Sequence, residues 1–293
     1  MNSPLQRGID HFVFAVHDLD ATCALFNRLG FTTTPRTGYR GRTSTSVVQF
    51  QDTYIELYAV TNQAKAIAAS QGGFSFGRYN AEFLQRRQGM SMLAFASDDA
   101  RRDLAEFTAA GLTAHGPFDF KTDAALPGFW DKEFSFSLAI VTDARTPDAV
   151  HFVCQLRSPE NFWKPVCQRH PNSAQQIAEV VMVAEQPTEF AGLFGALQRP
   201  EQVRVENGEL RVATARGQVT VLTPAAFTER YSGIAPICKG PHFAAVRIAV
   251  RDLGTAQAIF NASGLRAQAA PGRVWVEPKL VGGALLEVSA SKS

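Results

Sequence analysis

Residues 9–30, IDHFVFAVHDLDATCALFNRLG, decide the fold, because residues 243–264, FAAVRIAVRDLGTAQAIFNASG, repeat them without a gap. A shift of 234 positions sets Ala15, Val16, Asp18, Leu19, Ala24, Phe26, Asn27 and Gly30 on Ala249, Val250, Asp252, Leu253, Ala258, Phe260, Asn261 and Gly264. Each copy reads as a strand, a short Asp-Leu turn, an amphipathic helix and a helix-ending glycine. Where the first copy carries His11, the second carries Ala245. The strand forms without that imidazole, so His11 points to chemistry rather than to folding.

Two weaker copies lie between them. Residues 91–96 (SMLAFA) lead through Asp98 into a helical run ending at Gly111, and residues 177–184 (IAEVVMVA) lead into Pro187 and a second such run. Strand-like segments follow each helix, and Asn207-Gly208 is a two-residue hairpin signal. The repeating unit is a strand, a crossover helix and two or three further strands, over residues 8–60, 89–157, 176–223 and 242–290. One such sheet buries only its helix face, so copies must pair to enclose the other. Whether the first unit pairs with the second or the fourth is open at this point. The connections 61–88 and 158–175 are long and carry Gly, aromatic and basic residues, as lids or inter-unit bridges do.

Composition narrows the function classes. In 293 residues, 45% are hydrophobic and 19% charged, ordinary values for a globular chain. A net charge of +2 without a Lys/Arg cluster gives no reason to expect nucleic acid. Met1 to Gly8 is polar rather than signal-like, and no apolar run approaches the ~20 residues of a membrane helix. Cys23, Cys154, Cys167 and Cys238 are scattered and read as reduced thiols in a cytoplasmic protein. No P-loop, dinucleotide fingerprint, nucleophile elbow or HExxH appears. The expected partner is a small molecule; a homodimer is left open.

Alternation along strands assigns faces. Phe12, Phe14 and Val16 form the greasier row and face the unit's own helix, leaving His11 on the concave side. In Tyr54-Ile55-Glu56-Leu57-Tyr58, Ile55 and Leu57 suit the helix face, so Tyr54, Glu56 and Tyr58 share the concave one. An imidazole and a carboxylate aimed into one hollow make half of a metal site, or a buried His–Glu hydrogen bond. Of the other histidines, His17 reads as a solvated turn residue, and His115 and His242 as loop residues beside prolines. His170 starts the third unit. The aromatic segment 118–136 is core or pocket wall.

Those residues carry a resemblance. IDHFVFAVHDLDATCALFNRLGF followed by YIELYAV resembles the first module of the vicinal oxygen chelate superfamily, and within it the glyoxalase-like domain proteins. The likeness is best over 8–60, fair over 89–175 and weaker beyond. It implies an α+β fold of four βαβββ modules, paired into two curved, half-barrel mixed sheets with helices outside, as domains 1–175 and 176–293. It also implies a divalent metal ion held by the His opening a first strand and the Glu of a last strand, here His11 and Glu56. In the second module Ser91 stands where a His is expected and Cys154-Gln155-Leu156 where Ile-Glu-Leu is expected. Gln155 thus becomes a candidate ligand, with His151 in reserve. In the second half Glu179 and Glu287 take the two positions; two carboxylates could bind a hard cation, but Arg247 is placed to pair with Glu287, so this half reads as scaffold or a degenerate site.

The resemblance implies a metal-dependent lyase, isomerase or dioxygenase acting on a small oxygen-rich molecule. Glu56 would move the proton, Tyr54 and Tyr58 would line the site, and Arg40 in the basic loop 36–42 would grip an anionic group. The missing second His and Glu favour a different class, a binder that sequesters a small molecule. A purely structural protein would instead fill the cavity with Tyr54, Tyr58 and their neighbours.

Overall fold

The repeated Asp-Leu pair turns out to be a helix start. In the computed structural model, Asp18 accepts a hydrogen bond from the Ala21 N–H, and Asp252 accepts one from the Thr255 N–H. Each is the N-cap of the helix that crosses its module. Gly30 and Gly264 end those helices with the same φ of +78°, a left-handed residue that glycine adopts without strain. The structure describes residues 6–68, 73–121, 129–130 and 132–291. Parts of the polar N-terminus, of the connection 61–88 and of the aromatic segment 118–136 therefore lie outside the described residues.

Module one runs β1 (Ile9–Val16), α1 (Leu19–Arg28), β2 (Thr37–Tyr39), β3 (Thr43–Gln49) and β4 (Tyr54–Val60). The connection that follows carries α2 (Gln63–Ala68) and α3 (Phe76–Arg86). Module two is β5 (Gly89–Ala96), α4 (Ala100–Ala109), β6 (Thr113–Lys121), β7 (Ser135–Thr142) and β8 (Val150–Arg157), then α5 (Pro159–Phe162). Module three is β9 (Ala174–Val183), α6 (Ala191–Leu197), β10 (Val203–Glu206), β11 (Glu209–Ala213) and β12 (Gln218–Leu222), followed by α7 (Pro224–Arg230). Module four is β13 (His242–Val250), α8 (Leu253–Ala262), β14 (Ala267–Ala270), β15 (Arg273–Val276) and β16 (Leu285–Ala290). His115 and His242, expected in loops, lie in β6 and at the start of β13.

Two eight-stranded sheets result, ordered β2-β3-β4-β1-β5-β8-β7-β6 and β10-β11-β12-β9-β13-β16-β15-β14. Module one pairs with module two through antiparallel β1 and β5, and module three with module four through β9 and β13. The first sheet curls until its edges approach. Tyr39 of β2 and Phe120 of β6 have ring centroids 6.3 Å apart. The convex faces and helices of both sheets share one continuous apolar cluster, joined by contacts such as Phe31 with Phe260.

Every first strand contains a bulge at the same place. The ladders skip Asp10, Ser91, Ala178 and Ala244. A bulge opposes two residues to one and shifts all later side chains by one face. It sets His11, Met92, Glu179 and Ala245 at equivalent positions. The parallel ladders then make Glu56, Phe152, Thr220 and Glu287 equivalent, each beside the residue two beyond those four.

The two concave faces differ. That of the second sheet is packed by Val181, Leu222, Phe227, Tyr231, Ala245 and Trp275. Arg247 pairs there not with Glu287 but with Glu179, at 2.9 Å, although the two ladders set both acids beside it. Glu179 also receives Arg230 at 2.6 Å and the Thr220 hydroxyl at 2.6 Å, while Glu287 accepts from the Tyr231 hydroxyl at 2.9 Å. The first sheet keeps an open hollow. No helix among the described residues is long and apolar enough to cross a membrane.

Candidate functional site

The hollow of the first sheet is a cavity of about 600 Å³. His11, Tyr54, Glu56, Tyr58 and Cys154 form its polar floor, and Phe118, Phe134, Phe136, Phe152, Phe162 and Trp130 supply most of its walls. Phe74 and Phe76, from the connection between modules, cover one end. Arg40 and Arg42 stand on the hairpin between β2 and β3.

The bulge at Asp10 organises the floor. Side chains of successive strand residues normally diverge, but here Asp10 and His11 turn to the same side, and Asp10 Oδ1 lies 2.5 Å from His11 Nδ1. A carboxylate can only accept, so Nδ1 is the donor in this contact and Nε2 is the nitrogen turned toward the cavity. Nε2 is 3.9 Å from Glu56 Oε2 and 3.4 Å from the Tyr54 hydroxyl. The Tyr54 ring stacks on the imidazole at 4.1 Å, and the Phe152 edge meets it at 5.2 Å. The imidazole is therefore held on three sides.

Burial sets the protonation of the neighbours. It raises the Glu56 carboxyl above its ordinary range, and the nearby His11 only partly opposes it. It pushes the Tyr54 hydroxyl and the Cys154 thiol well up, helped by the charges of Asp10 and Glu56. The floor thus combines one oriented imidazole, one reluctant carboxylate and two groups that stay protonated.

His11, Tyr54, Glu56, Tyr58 and Arg40 all line this cavity. Gln155 and His151 do not. Gln155 Nε2 donates to the Asp98 carbonyl at 2.6 Å and its Oε1 accepts from the Ala100 N–H, at the start of α4. His151 packs on the convex side against Phe194 and Phe243, where burial lowers it to about 4. The inward residues of β8 are Val150, Phe152 and Cys154. An Ile-Glu-Leu match to Cys154-Gln155-Leu156 therefore falls on the wrong face. Sequence reasoning missed Asp10 and Cys154; the one available signal was a carboxylate directly before His11.

His170, outside the cavity, accepts from the Thr32 N–H at 2.9 Å and lies 2.8 Å from the Gln49 carbonyl. His17 is exposed.

The donor set can be compared with a metal shell. Module one contributes His11 and Glu56, but the equivalent positions of module two hold Met92 and Phe152, which offer a hard divalent ion nothing. Asp10, His11 and Cys154 each place one donor atom within 4.8 Å of the others. Asp10, however, is engaged with Nδ1, and Cys154 offers a soft sulfur where a paired module would offer an imidazole or a carboxylate. These residues do not fit the shell of two paired modules.

A family model described as the glyoxalase-like domain matches residues 9–197. The chain belongs to the glyoxalase-like domain family. It is thereby a member of the vicinal oxygen chelate superfamily, and its solved neighbours agree. This glyoxalase-like protein superposes on a hypothetical protein from Staphylococcus aureus with a TM-score of 0.69 at 13% identity, covering 97% of this chain and 100% of that one. It also superposes on a mutant 4-hydroxymandelate synthase from Streptomyces coelicolor, with a TM-score of 0.61, 14% identity and coverages of 98% and 94%. For an Mn(II)-bound glyoxalase from Novosphingobium aromaticivorans the values are 0.57, 11%, 98% and 83%. At such identities the likeness is one of fold. No curated protein matches the chain.

Proposed function

We propose that this glyoxalase-like protein binds a small organic molecule in the cavity of its first sheet and moves a proton on it with Glu56 and His11. The reading places it among lyases and isomerases. Glu56, raised by burial, takes a proton from carbon or oxygen, and His11, backed by Asp10, holds or returns one at Nε2. Tyr54 keeps the imidazole in place and Tyr58 shapes the floor. The observation that carries this is the convergence of His11 and Glu56, 3.9 Å apart, on one cavity.

A dioxygenase is a poorer fit, although one neighbour is named as a fusion with 4-hydroxyphenylpyruvate dioxygenase. Non-haem iron oxygenases hold the metal with three protein donors and keep open positions. Here Met92 and Phe152 take the place of the missing donors. The same two apolar residues, and the aromatic walls, favour a second reading: a protein that sequesters an apolar small molecule without changing it. The four free cysteines support a reducing, cytoplasmic setting for either.

Solvent deuterium incorporation separates the two. The protein is incubated in D2O with a panel of 2-oxo and 2-hydroxy acids and followed by proton NMR. Proton transfer predicts exchange in at least one compound, lost in Glu56→Gln. Binding of panel members with no exchange in any of them selects sequestration.

A further inference from the structure

The hairpin between β2 and β3 holds an arginine where its backbone is disfavoured. Arg40 has φ +50° and Gly41 φ +63°, and the Arg42 N–H donates to the Tyr39 carbonyl at 3.0 Å. The loop between the paired Tyr39 and Thr43 thus opens with a tight turn, 39–42, whose two central residues are left-handed, a conformation that suits Asn-Gly. A long side chain at its first central position is uncommon, and such a residue persists where the site gains from it. What it gains here is a place on the cavity. Arg40 and Arg42 both line it, and among the described residues neither has a carboxylate within ion-pair distance. The Arg40 guanidinium rests 5.2 Å from the centre of the Tyr39 ring.

The walls below have the opposite character. Phe118, Phe120, Phe136 and Phe152 face the hollow, and Tyr39 closes on Phe120 across the sheet's two edges. A space of about 600 Å³ is much larger than a three-carbon substrate needs and has the size of a drug-like molecule. Guanidinium groups at the rim of an aromatic pocket match a ligand with one charged end, since a planar fork binds carboxylate, sulfonate or phosphate oxygens in pairs.

We propose that the cavity takes an aromatic organic anion, its flat apolar body among the phenyl rings and its anionic group against Arg40 and Arg42. This rests on the reading of the cavity as the ligand site and specifies what enters it. The polar floor at His11 and Glu56 then meets the end of the molecule opposite its charge.

The test titrates the full-length protein with two fluorescent probes of one aromatic frame, 8-anilinonaphthalene-1-sulfonate and uncharged N-phenyl-1-naphthylamine. Arg40→Asn removes the charge while giving the turn its preferred Asn-Gly, so the variant keeps its fold; Arg42→Gln removes the second charge. The expected result is one sulfonate per chain, bound about tenfold more weakly in Arg40→Asn and weaker again in the double variant. The neutral probe changes less than about twofold, and the preference for the sulfonate shrinks with added salt. Equal affinity of the two probes in the wild type, or a preference unchanged by both substitutions, overturns the anion proposal and leaves the cavity reading standing. Failure of both probes to bind the wild type overturns the cavity reading as well.

Discussion

His11 Nε2 and Glu56 Oε2 face each other across 3.9 Å, although their strands pair His11 with Tyr54 and Glu56 with Val13. The diagonal works because β1 and β4 are parallel neighbours and both side chains rise from the concave face. On the other half of the same sheet the equivalent diagonal joins Met92 and Phe152. One module thus keeps two donors and its partner presents hydrocarbon.

That asymmetry predicts the metal content. Protein purified without a polyhistidine tag is expected to carry well under one equivalent of any divalent ion by elemental analysis. Met92→His combined with Phe152→Glu supplies the two missing donors and is expected to bring stoichiometric binding of Mn²⁺ or Zn²⁺. Saturation at a hundredfold excess over Kd raises folding stability by about 2.7 kcal/mol. A full equivalent in the wild type that disappears in His11→Ala refutes the apolar half-shell.

Asp10 is expected to matter more than its position suggests. Asp10→Ala leaves the His11 Nδ1–H buried without an acceptor, a loss of roughly 1–3 kcal/mol in urea denaturation. Asp10→Asn keeps an oxygen toward Nδ1 and loses less, while weakening any reaction that returns a proton from Nε2. Equal stability of Asp10→Ala and wild type rules out the orienting role.

Much of this could be read from the chain. Alternation in Phe12, Phe14 and Val16 fixed the helix face of β1, and the Asp18 and Asp252 caps fixed where each crossover helix begins. The bulge could not be read, because it exists only in the pairing of β1 with β5. With it went Asp10, which plain alternation sends to the far side from His11. The β8 error has another cause. Its polar residues His151, Gln155 and Arg157 share one row, and its inward row is Val150, Phe152 and Cys154. The motif match puts the polar row in the cavity, whereas the pairing with β5 turns it to the convex side. Arg247 faces a choice that alternation does not decide. Both acids neighbour it, and only the geometry of side chains over the sheet chooses Glu179.

Acid should destabilise the protein in two stages. Burial holds His151, His170 and His242 at about 4 in the folded chain, against ~6.5 when unfolded. Above pH ~6.5 all three are neutral in both states and their contribution is complete. As pH falls from there to about 4, only the unfolded chain takes up protons, and each histidine surrenders up to roughly 3 kcal/mol. Urea midpoints measured between pH 7.5 and 4.5 are expected to drop steeply, and less so in His151→Leu. An unchanged slope in that variant contradicts a neutral, buried His151.

The second stage belongs to Glu179. Burial alone would raise this carboxyl, but Arg230 and Arg247 outweigh it and hold it at about 2. A depressed acid stabilises the fold above its unfolded value of ~4.5 and loses that contribution as pH falls toward 2, roughly 3 kcal/mol in all. The cluster is nevertheless weak evidence that charge was needed for stability, since desolvating ions costs about as much as their attraction returns. Glu179→Met alone strands Arg230 and Arg247 without their shared partner and is expected to cost about 3–5 kcal/mol, and Arg230→Met alone to cost nearly as much. The double variant Glu179→Met with Arg230→Met leaves Arg247 near Glu287 and should recover most of that loss. Because the second concave face is already packed by Tyr231 and Trp275, none of these changes should alter probe binding in the first cavity. Additive losses in the double variant, measured by urea denaturation at pH 7, would show that the two residues act independently and that the buried cluster is not a coupled unit.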